Sequence, residues 1–409
     1  MRIPALAGRL LRSIPYLVYR SVRLLSRAPQ RDTFPSSETM ESVRRILIVK
    51  LDALGDLLMT SPAIRSLRRR FPMAEVHLLV QTGVAPLARF LPGIEAVESL
   101  PCGFLLHGPK RLRRCLAWLL ALGRLRRRRY DLILDFSSLF HSAAAAWAGG
   151  APLRLGFYRH VPLGFFSTEG FGHFYTHEFA LEETTHYADR MHRLAAAAGA
   201  EADTGGWRIH LNEDLREAAG RLLAEQGIGE GDGPLVVVSP GAKWAPKRWG
   251  EGGFAEVVDL LQGRGWRAVL IAGPDEEELL GSLRSACRTS PAAIWPPAPL
   301  GTVAALLEKA DAFLGNDSGP MHMAAAVGTP IVALFGPTVP GGTGPRGSPF
   351  IPLYAALECS PCPLYFTRTR CHRGHNYCMD GFRPPDVAAA VDLSIERRRP
   401  PRRARRAAG

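Results

Sequence analysis

Short apolar runs recur along the chain at residues 46–51, 76–80, 132–136, 236–239, 269–272, 312–315 and 331–335. They are partly β-branched and show no regular polar alternation, which is the pattern of strands buried on both faces. Helical stretches lie between many of them. Strand and helix in alternation predict an α/β fold built from doubly wound parallel sheets. The run of strands restarts near Leu235 after a polar segment around residues 212–233. Two Rossmann-like halves with a cleft between them are therefore expected: an N-terminal domain over 41–215 and a C-terminal domain over 216–390.

Two further segments follow a helical period. On a helical wheel, Arg9, Arg12, Arg20, Arg23 and Arg27 fall in one sector and Leu10, Ile14, Leu17, Leu24 and Leu25 on the other side. That is the pattern of a helix lying in a membrane interface, with Pro15 as a kink within it. Residues 28–41 read as a linker, so 1–40 form a basic extension ahead of the first domain. Residues 110–129 (KRLRRCLAWLLALGRLRRRR) read as one helix with Arg-rich ends and an apolar middle. Two readings stand for it: a core helix with solvated ends, or a second membrane-facing element.

Composition adds detail to this architecture. The chain has 409 residues, of which 46% are hydrophobic, enough for two domains. No uninterrupted apolar stretch is long enough to span a bilayer, so no transmembrane helix is expected. Arginines interrupt the apolar positions near the N-terminus, which argues against a cleavable signal peptide. The net charge of +13 is unevenly placed. Residues 1–40, 110–129 and the tail within 391–409 hold the excess of Arg, and the folded body is mildly acidic. Such basic appendages suit an anionic membrane surface. A nucleic-acid partner is not expected, because few aromatics are interleaved with these cations. The expected location is the cytoplasm, peripheral on the inner face of the membrane.

The chemistry-bearing residues gather at strand ends. After residues 46–51 comes Asp52-Ala53-Leu54-Gly55-Asp56, a turn that is not G-x-G-x-x-G and offers two carboxylates. A carboxylate there is a candidate general base, or the cap of a helix running from about Leu57 to Arg70. After residues 236–239, the loop Pro240 to Trp249 carries Lys243, Lys247 and Arg248 among glycine, proline and two tryptophans, a composition suited to a diphosphate. After 269–272, Glu276 stands where an acid meets ribose hydroxyls in Rossmann-like units. After 312–315 come Asn316, Asp317, Ser318, Gly319, Pro320, Met321 and His322. Ser318 or Asp317 is placed to cap the following helix, and Pro320 to occupy its first turn. The turn Gly336-Pro337-Thr338 adds one more strand-end hydroxyl.

In this order, Lys50-Leu51-Asp52-Ala53-Leu54-Gly55-Asp56 with Thr60-Ser61-Pro62-Ala63, Ser239-Pro240-Gly241-Ala242 with Lys247-Arg248-Trp249, GNDSGPMH at 315–322, and Phe335-Gly336-Pro337-Thr338 resemble glycosyltransferase family 9, the ADP-heptose:lipopolysaccharide heptosyltransferases. The resemblance runs from about Arg44 to Val387. It implies the GT-B architecture of two Rossmann-like domains and an inverting, metal-independent transfer from a nucleotide-diphosphate sugar, most readily ADP-heptose, to a lipid-linked glycan. Asp56 matches the family's proposed base, with Asp52 and Gly55 beside it on the acceptor-side loop. Lys247 matches the lysine that stabilises the leaving diphosphate. Asp317 matches a donor-sugar ligand, with Ser318, Gly319 and His322 as neighbours, and Glu276 an acid near the ribose. Lys243 and Thr338 join them as phosphate neighbours. No cofactor is required. Another nucleotide sugar, a protein acceptor, or a non-catalytic sugar-nucleotide-binding protein at the membrane are the alternatives.

Cys359, Cys362, Cys371 and Cys378 enclose His372 and His375. Their number fits one structural zinc, with reduced packing thiols or a disulfide pair as alternatives.

Overall fold

The computed structural model describes residues 26–101, 111–158, 162–163, 166–167, 172–180, 186–229, 231–362, 371 and 373–398, with side chains masked at 111–115, 162–163, 166–167 and 398. Nearly all of the basic helix expected over 9–27, and the tail beyond residue 398, lie outside the described residues. The chain divides into two compact units, Met1–Thr204 and Gly205–Gly409.

In the first unit the strands are β1 (Gln30–Arg31), β2 (Arg45–Lys50), β3 (Glu75–Gln81), β4 (Ala96–Leu100), β5 (Leu132–Asp135), β6 (Leu153–Tyr158), the hairpin pair β7 (Pro162–Leu163) and β8 (Phe166–Ser167), and β9 (His177–Ala180). Apart from that pair they form one sheet in the order β1-β9-β6-β5-β2-β3-β4, and every pairing within it is parallel. The apolar runs account for β2, β3 and β5, whose inner residues are fully buried. The charges inside β4 (Glu98), β6 (Arg154) and β9 (Glu178) hid those strands from a hydrophobicity reading. The backbone absorbs Arg154: its Nε donates to the Phe174 carbonyl at 2.9 Å and its Nη1 to that of Ala151 at 2.5 Å.

The helix expected from about Leu57 to Arg70 is two helices, Leu54–Leu58 and Ser61–Arg70. The break falls at Met59-Thr60, where the Thr60 hydroxyl turns back to the Leu57 carbonyl and Pro62 opens the second helix. The basic segment forms the helix Arg111–Arg127. Its Trp118, Ala121 and Leu125 are buried in a core shared with Leu47, Val49 and Ile133.

The second unit has β10 (Leu235–Ser239), β11 (Arg267–Leu270), β12 (Ala293–Ile294), β13 (Ala312–Asn316), β14 (Ile331–Phe335) and β15 (Phe350–Tyr354), in the order β12-β11-β10-β13-β14-β15. These pairings are parallel as well. The segment that read as polar over 212–233 contains an amphipathic helix, Glu213–Glu225, capped by Asn212, whose side chain accepts from the Leu215 N–H. Residues ahead of it already belong to this unit: the Ile209 N–H bonds the Ala326 carbonyl at 3.2 Å.

Setting aside edge strand β1, both sheets have the 3-2-1-4-5-6 order of a Rossmann-like sheet. Strand order reverses between β2 and β5 in one and between β10 and β13 in the other. The carboxyl ends of such strand pairs are where open α/β sheets bind ligands.

Candidate active site

At the reversal point of the second unit, the carboxyl ends of β10 and β13 bring distant residues together. Asn316 ends β13 fully buried; its Nδ2 donates to the Pro240 carbonyl at 2.7 Å and its Oδ1 accepts the Trp249 N–H at 3.2 Å. These two bonds fix the loop after β10 against β13. Asp317 follows, also buried, and its Oδ2 takes the Lys247 ammonium at 2.7 Å, the Thr338 hydroxyl at 2.6 Å and the Thr343 hydroxyl at 3.3 Å. His322 Nε2 lies 3.9 Å from the other oxygen, and its ring packs 5.0 Å from that of Trp207. Burial pushes the Asp317 pKa up, but Lys247, His322 and Thr338 outweigh it and hold the carboxyl below its ordinary value.

Glu276 approaches the same loop. Its Oε2 accepts the Gly273 N–H at 2.8 Å, and its Oε1 meets Arg248 Nη2 at 3.3 Å, while Arg248 Nε donates to the Ala242 carbonyl at 2.8 Å. The carboxylate lies so close over Gly241 that a Cβ there would fall 2.1 Å from Oε2. Only glycine fits that position without displacing Glu276.

The first unit presents a carboxylate cluster at its own reversal point. Lys50, the last residue of β2, is fully buried; its Nζ lies 2.7 Å from Asp52 Oδ2, 2.9 Å from the Tyr187 hydroxyl and 3.1 Å from the Phe136 carbonyl. Burial alone would lower the Lys50 pKa, but Asp52, Tyr187 and Asp56 together raise it above the ordinary value, so the cation persists. Asp56 stands in the first turn of the helix Leu54–Leu58, and its Oδ2 accepts the Ala53 N–H at 3.1 Å. Ser137, after β5, accepts the Leu51 N–H at 2.7 Å. His141 packs edge-on against Trp118, 6.3 Å between rings, and burial holds its pKa down against the pull of Asp52.

The profile described as "Glycosyltransferase family 9 (heptosyltransferase)" matches residues 120–371. The chain belongs to glycosyltransferase family 9. It is 29% identical over 326 residues to lipopolysaccharide heptosyltransferase 1 of Pseudomonas aeruginosa, covering 78% of this chain and 86% of that one. Among solved structures, a family 9 glycosyltransferase of Veillonella parvula superposes with a TM-score of 0.71 at 22% identity, over 87% of this chain and 97% of that chain. The ADP-heptose lipopolysaccharide heptosyltransferase II of Escherichia coli does so with 0.68 at 20%, over 87% and 99%. The fold is thus GT-B, and the chain is a glycosyltransferase.

Within this family 9 fold, the residues named from the sequence separate into two groups. Lys247, Asp317, Thr338 and His322 converge, with Glu276 tied to the same loop through Arg248. Lys243 does not join them: it is exposed, and its ammonium sits 5.2 Å over the Trp244 ring. Ser318 occupies the N-cap of the helix Gly319–Ala326 but makes no capping bond, and its buried Oγ meets no partner. Asp317 does not cap either, because its carboxylate is committed to Lys247 and Thr338. Asp52, Gly55 and Asp56 lie together on the loop and helix after β2. Lys50, Asn316 and Tyr187 were given no role from sequence. The signal for Lys50 was present: a lysine closing an otherwise apolar strand must find charge partners.

The four clustered cysteines bracket residues 363–370 and His372, which lie outside the described residues. Cys359, Cys362, Cys371 and Cys378 are unpaired thiols, and among the described residues no group of three or more His, Cys, Asp or Glu side chains is gathered to hold a metal ion. Cys378 is drawn into the apolar core with Met379 while the other three stay half-buried. Burial first, then the neighbouring thiols, push its pKa up to about 11. The segment also braces the turn after β14: a Cβ on Gly336 would meet Met379 Sδ and the Cys378 carbonyl, and the Cys362 N–H bonds the Pro337 carbonyl at 2.8 Å.

Proposed function

We propose that this family 9 glycosyltransferase moves a heptose from ADP-heptose onto a lipopolysaccharide core or a related lipid-linked glycan, with inversion and without a metal ion. The observation that carries the reading is the 2.7 Å pair between Lys247 and Asp317 at the reversal point of the second sheet. It holds a cation at the strand ends where a nucleotide diphosphate is bound in folds of this kind. The donor and acceptor classes follow from the named relatives in P. aeruginosa and E. coli.

In this reading Asp56 takes the proton of the acceptor hydroxyl. The oxygen attacks the anomeric carbon from the face opposite the nucleotide, and the bond from that carbon to the diphosphate breaks. Lys247 stabilises the charge that builds on the departing diphosphate. Asp317 orients Lys247 and accepts hydrogen bonds from donor-sugar hydroxyls, while Glu276 meets the ribose. Lys50 keeps positive charge beside Asp52 and Asp56.

The acceptor class also fits a membrane surface on the cytoplasmic side. No helix among the described residues is long and apolar enough to cross a membrane. The helix Arg111–Arg127 nevertheless leaves Leu116, Leu119 and Leu120 exposed at 56, 67 and 57%, next to Arg124 and Arg127. That arrangement fits an interfacial helix.

The test is a transfer and donor-hydrolysis screen of the purified protein with ADP-, GDP- and UDP-sugars, comparing wild type with Asp56→Ala and Lys247→Ala. Turnover of an ADP-sugar, reduced at least about a hundredfold by either substitution, is the expected result. Equal activity of Asp56→Ala removes the assigned base; absence of turnover with every nucleotide sugar removes the function.

A further inference from the structure

At the amino ends of β6 and β9, opposite the strand edge that carries Asp52 and Asp56, the first unit has a half-open cavity of about 930 Å³. Arg27, Arg126, Arg154 and His177 line it together with Trp147 and Tyr175, and no carboxylate does. Among the described residues neither Arg27 nor Arg126 has an ion-pair partner. Arg154 bonds only backbone carbonyls, those of Phe174 and Ala151. Burial first, and then repulsion from Arg126, lower the Arg154 pKa from its ordinary value.

The cavity is also built rather than incidental. Arg126 lies across Gly150, a left-handed residue at φ +68°, where a Cβ would fall 1.4 Å from Nη1. The Trp147 indole N–H donates to Ser26 Oγ at 3.0 Å and ties the chain entering the sheet to the rim. A site lined by three guanidiniums and a buried histidine, with no acid, calls for an anion, and a phosphate oxygen cluster is the group that a guanidinium fork matches best.

The helix that supplies Arg126 decides the source of that phosphate. Leu122 and Arg126 face the cavity, while Leu116, Leu119 and Leu120 of the same helix are exposed. One element thus offers apolar contact to acyl chains and a cation to a headgroup. We propose that this cavity binds the phosphate of an anionic phospholipid headgroup and seats the first unit on the membrane. The inference deepens the membrane part of the reading above and is independent of the transfer chemistry.

The experiment uses the full chain and vesicles of phosphatidylcholine with and without phosphatidylglycerol, comparing wild type with Arg126→Gln, Arg127→Gln and Leu119→Gln. Arg127 is the control: an exposed neighbour on the same helix that does not line the cavity and carries the same charge. Loss of one diffuse surface charge weakens binding about fivefold. Arg126→Gln is expected to weaken binding to phosphatidylglycerol vesicles at least about fivefold more than Arg127→Gln, through loss of its charge-assisted bonds. Equal effects of the two overturn the site. If Leu119→Gln still weakens binding in that case, the membrane surface stands and only the pocket falls. Calorimetry with glycerol 1-phosphate separates the sources: binding lost in Arg126→Gln alongside unchanged vesicle affinity assigns the pocket to a soluble phosphate ester and overturns the lipid assignment. Melting curves report the fold of each variant, and transfer to a de-acylated soluble acceptor is expected to stay at the wild-type rate in Arg126→Gln. A failed vesicle result therefore leaves the glycosyltransferase reading intact.

Discussion

Asp317 combines burial with four polar neighbours, so a change of one atom there separates its roles. Asp317→Asn keeps the volume but removes the charge opposite Lys247, whose side chain is 12% exposed. Taking one partner from so buried a pair costs about 3 kcal/mol, read as a lower midpoint in urea denaturation. Donor affinity falls in the same variant, read by calorimetry with ADP. Gly241→Ala acts more locally. Its methyl displaces the Glu276 carboxylate, so the donor KM should rise more than kcat falls, and steady-state kinetics with an ADP-sugar check it. At this scale the sequence was legible where a side chain has one chemistry to offer. A lysine in a Gly/Pro loop and an aspartate after a buried strand announce a polar site, and Lys247 and Asp317 meet. Lys243 has the same chemistry and the same loop, yet it turns to the Trp244 face. Nothing in residue type distinguishes those two lysines; the bonds that anchor the loop, from Asn316 and Arg248, go with Lys247 being the one that meets Asp317.

Elements were legible in proportion to how uniform their environment is. β2, β3, β5, β10, β13 and β14 are buried on both sides and read as largely apolar runs. β4 and β15 are sheet edges, and β6 and β9 carry Arg154 and Glu178 inward, where partners from other parts of the chain accept them. A local pattern cannot record such partners. The helix Arg111–Arg127 left two readings open, and its packing now bears on both. Its Trp118 side is core, whereas Leu116, Leu119 and Leu120 are exposed. Replacing those three by Gln should shift stability by less than about 0.5 kcal/mol per site, since no packing is lost. The same triple variant should bind anionic vesicles less well. Thermal melting and vesicle flotation on one preparation check both expectations, and a large loss of stability would show that the leucines belong to the core.

Across the whole molecule, the two units carry buried acids with opposite dependence on pH. Asp135 is fully buried, and burial outweighs its bonds from Ser142, Tyr175 and two backbone N–H groups to push its pKa up to about 6. Burial likewise pushes Glu178 up to about 7, against the pull of Arg31. A raised folded pKa gives stability that is complete below the unfolded value and is lost as pH rises through the folded one. For Asp135 this amounts to roughly 3 kcal/mol lost between about pH 4 and 7. The depressed pKa of Asp317 works the other way, and its contribution is lost as pH falls. Calorimetric scans from pH 5 to 8 should therefore show the first unit melting lower as pH rises, and Asp135→Asn should flatten that trend. The topology itself was half visible in advance: alternation of strand and helix announced two parallel sheets, while their order depends on which strands pair, information spread over the whole chain.

The sheets also share no strand: every member of one precedes Thr204, and every member of the other follows Gly205. No backbone ladder needs to be rebuilt when one half is exchanged for that of a relative. The two halves can therefore change independently in descent. In the proposed reading, with Lys247 on the donor side and Asp56 on the acceptor side, a recombination point near residue 204 re-addresses a family 9 enzyme to a new donor while its acceptor stays the same.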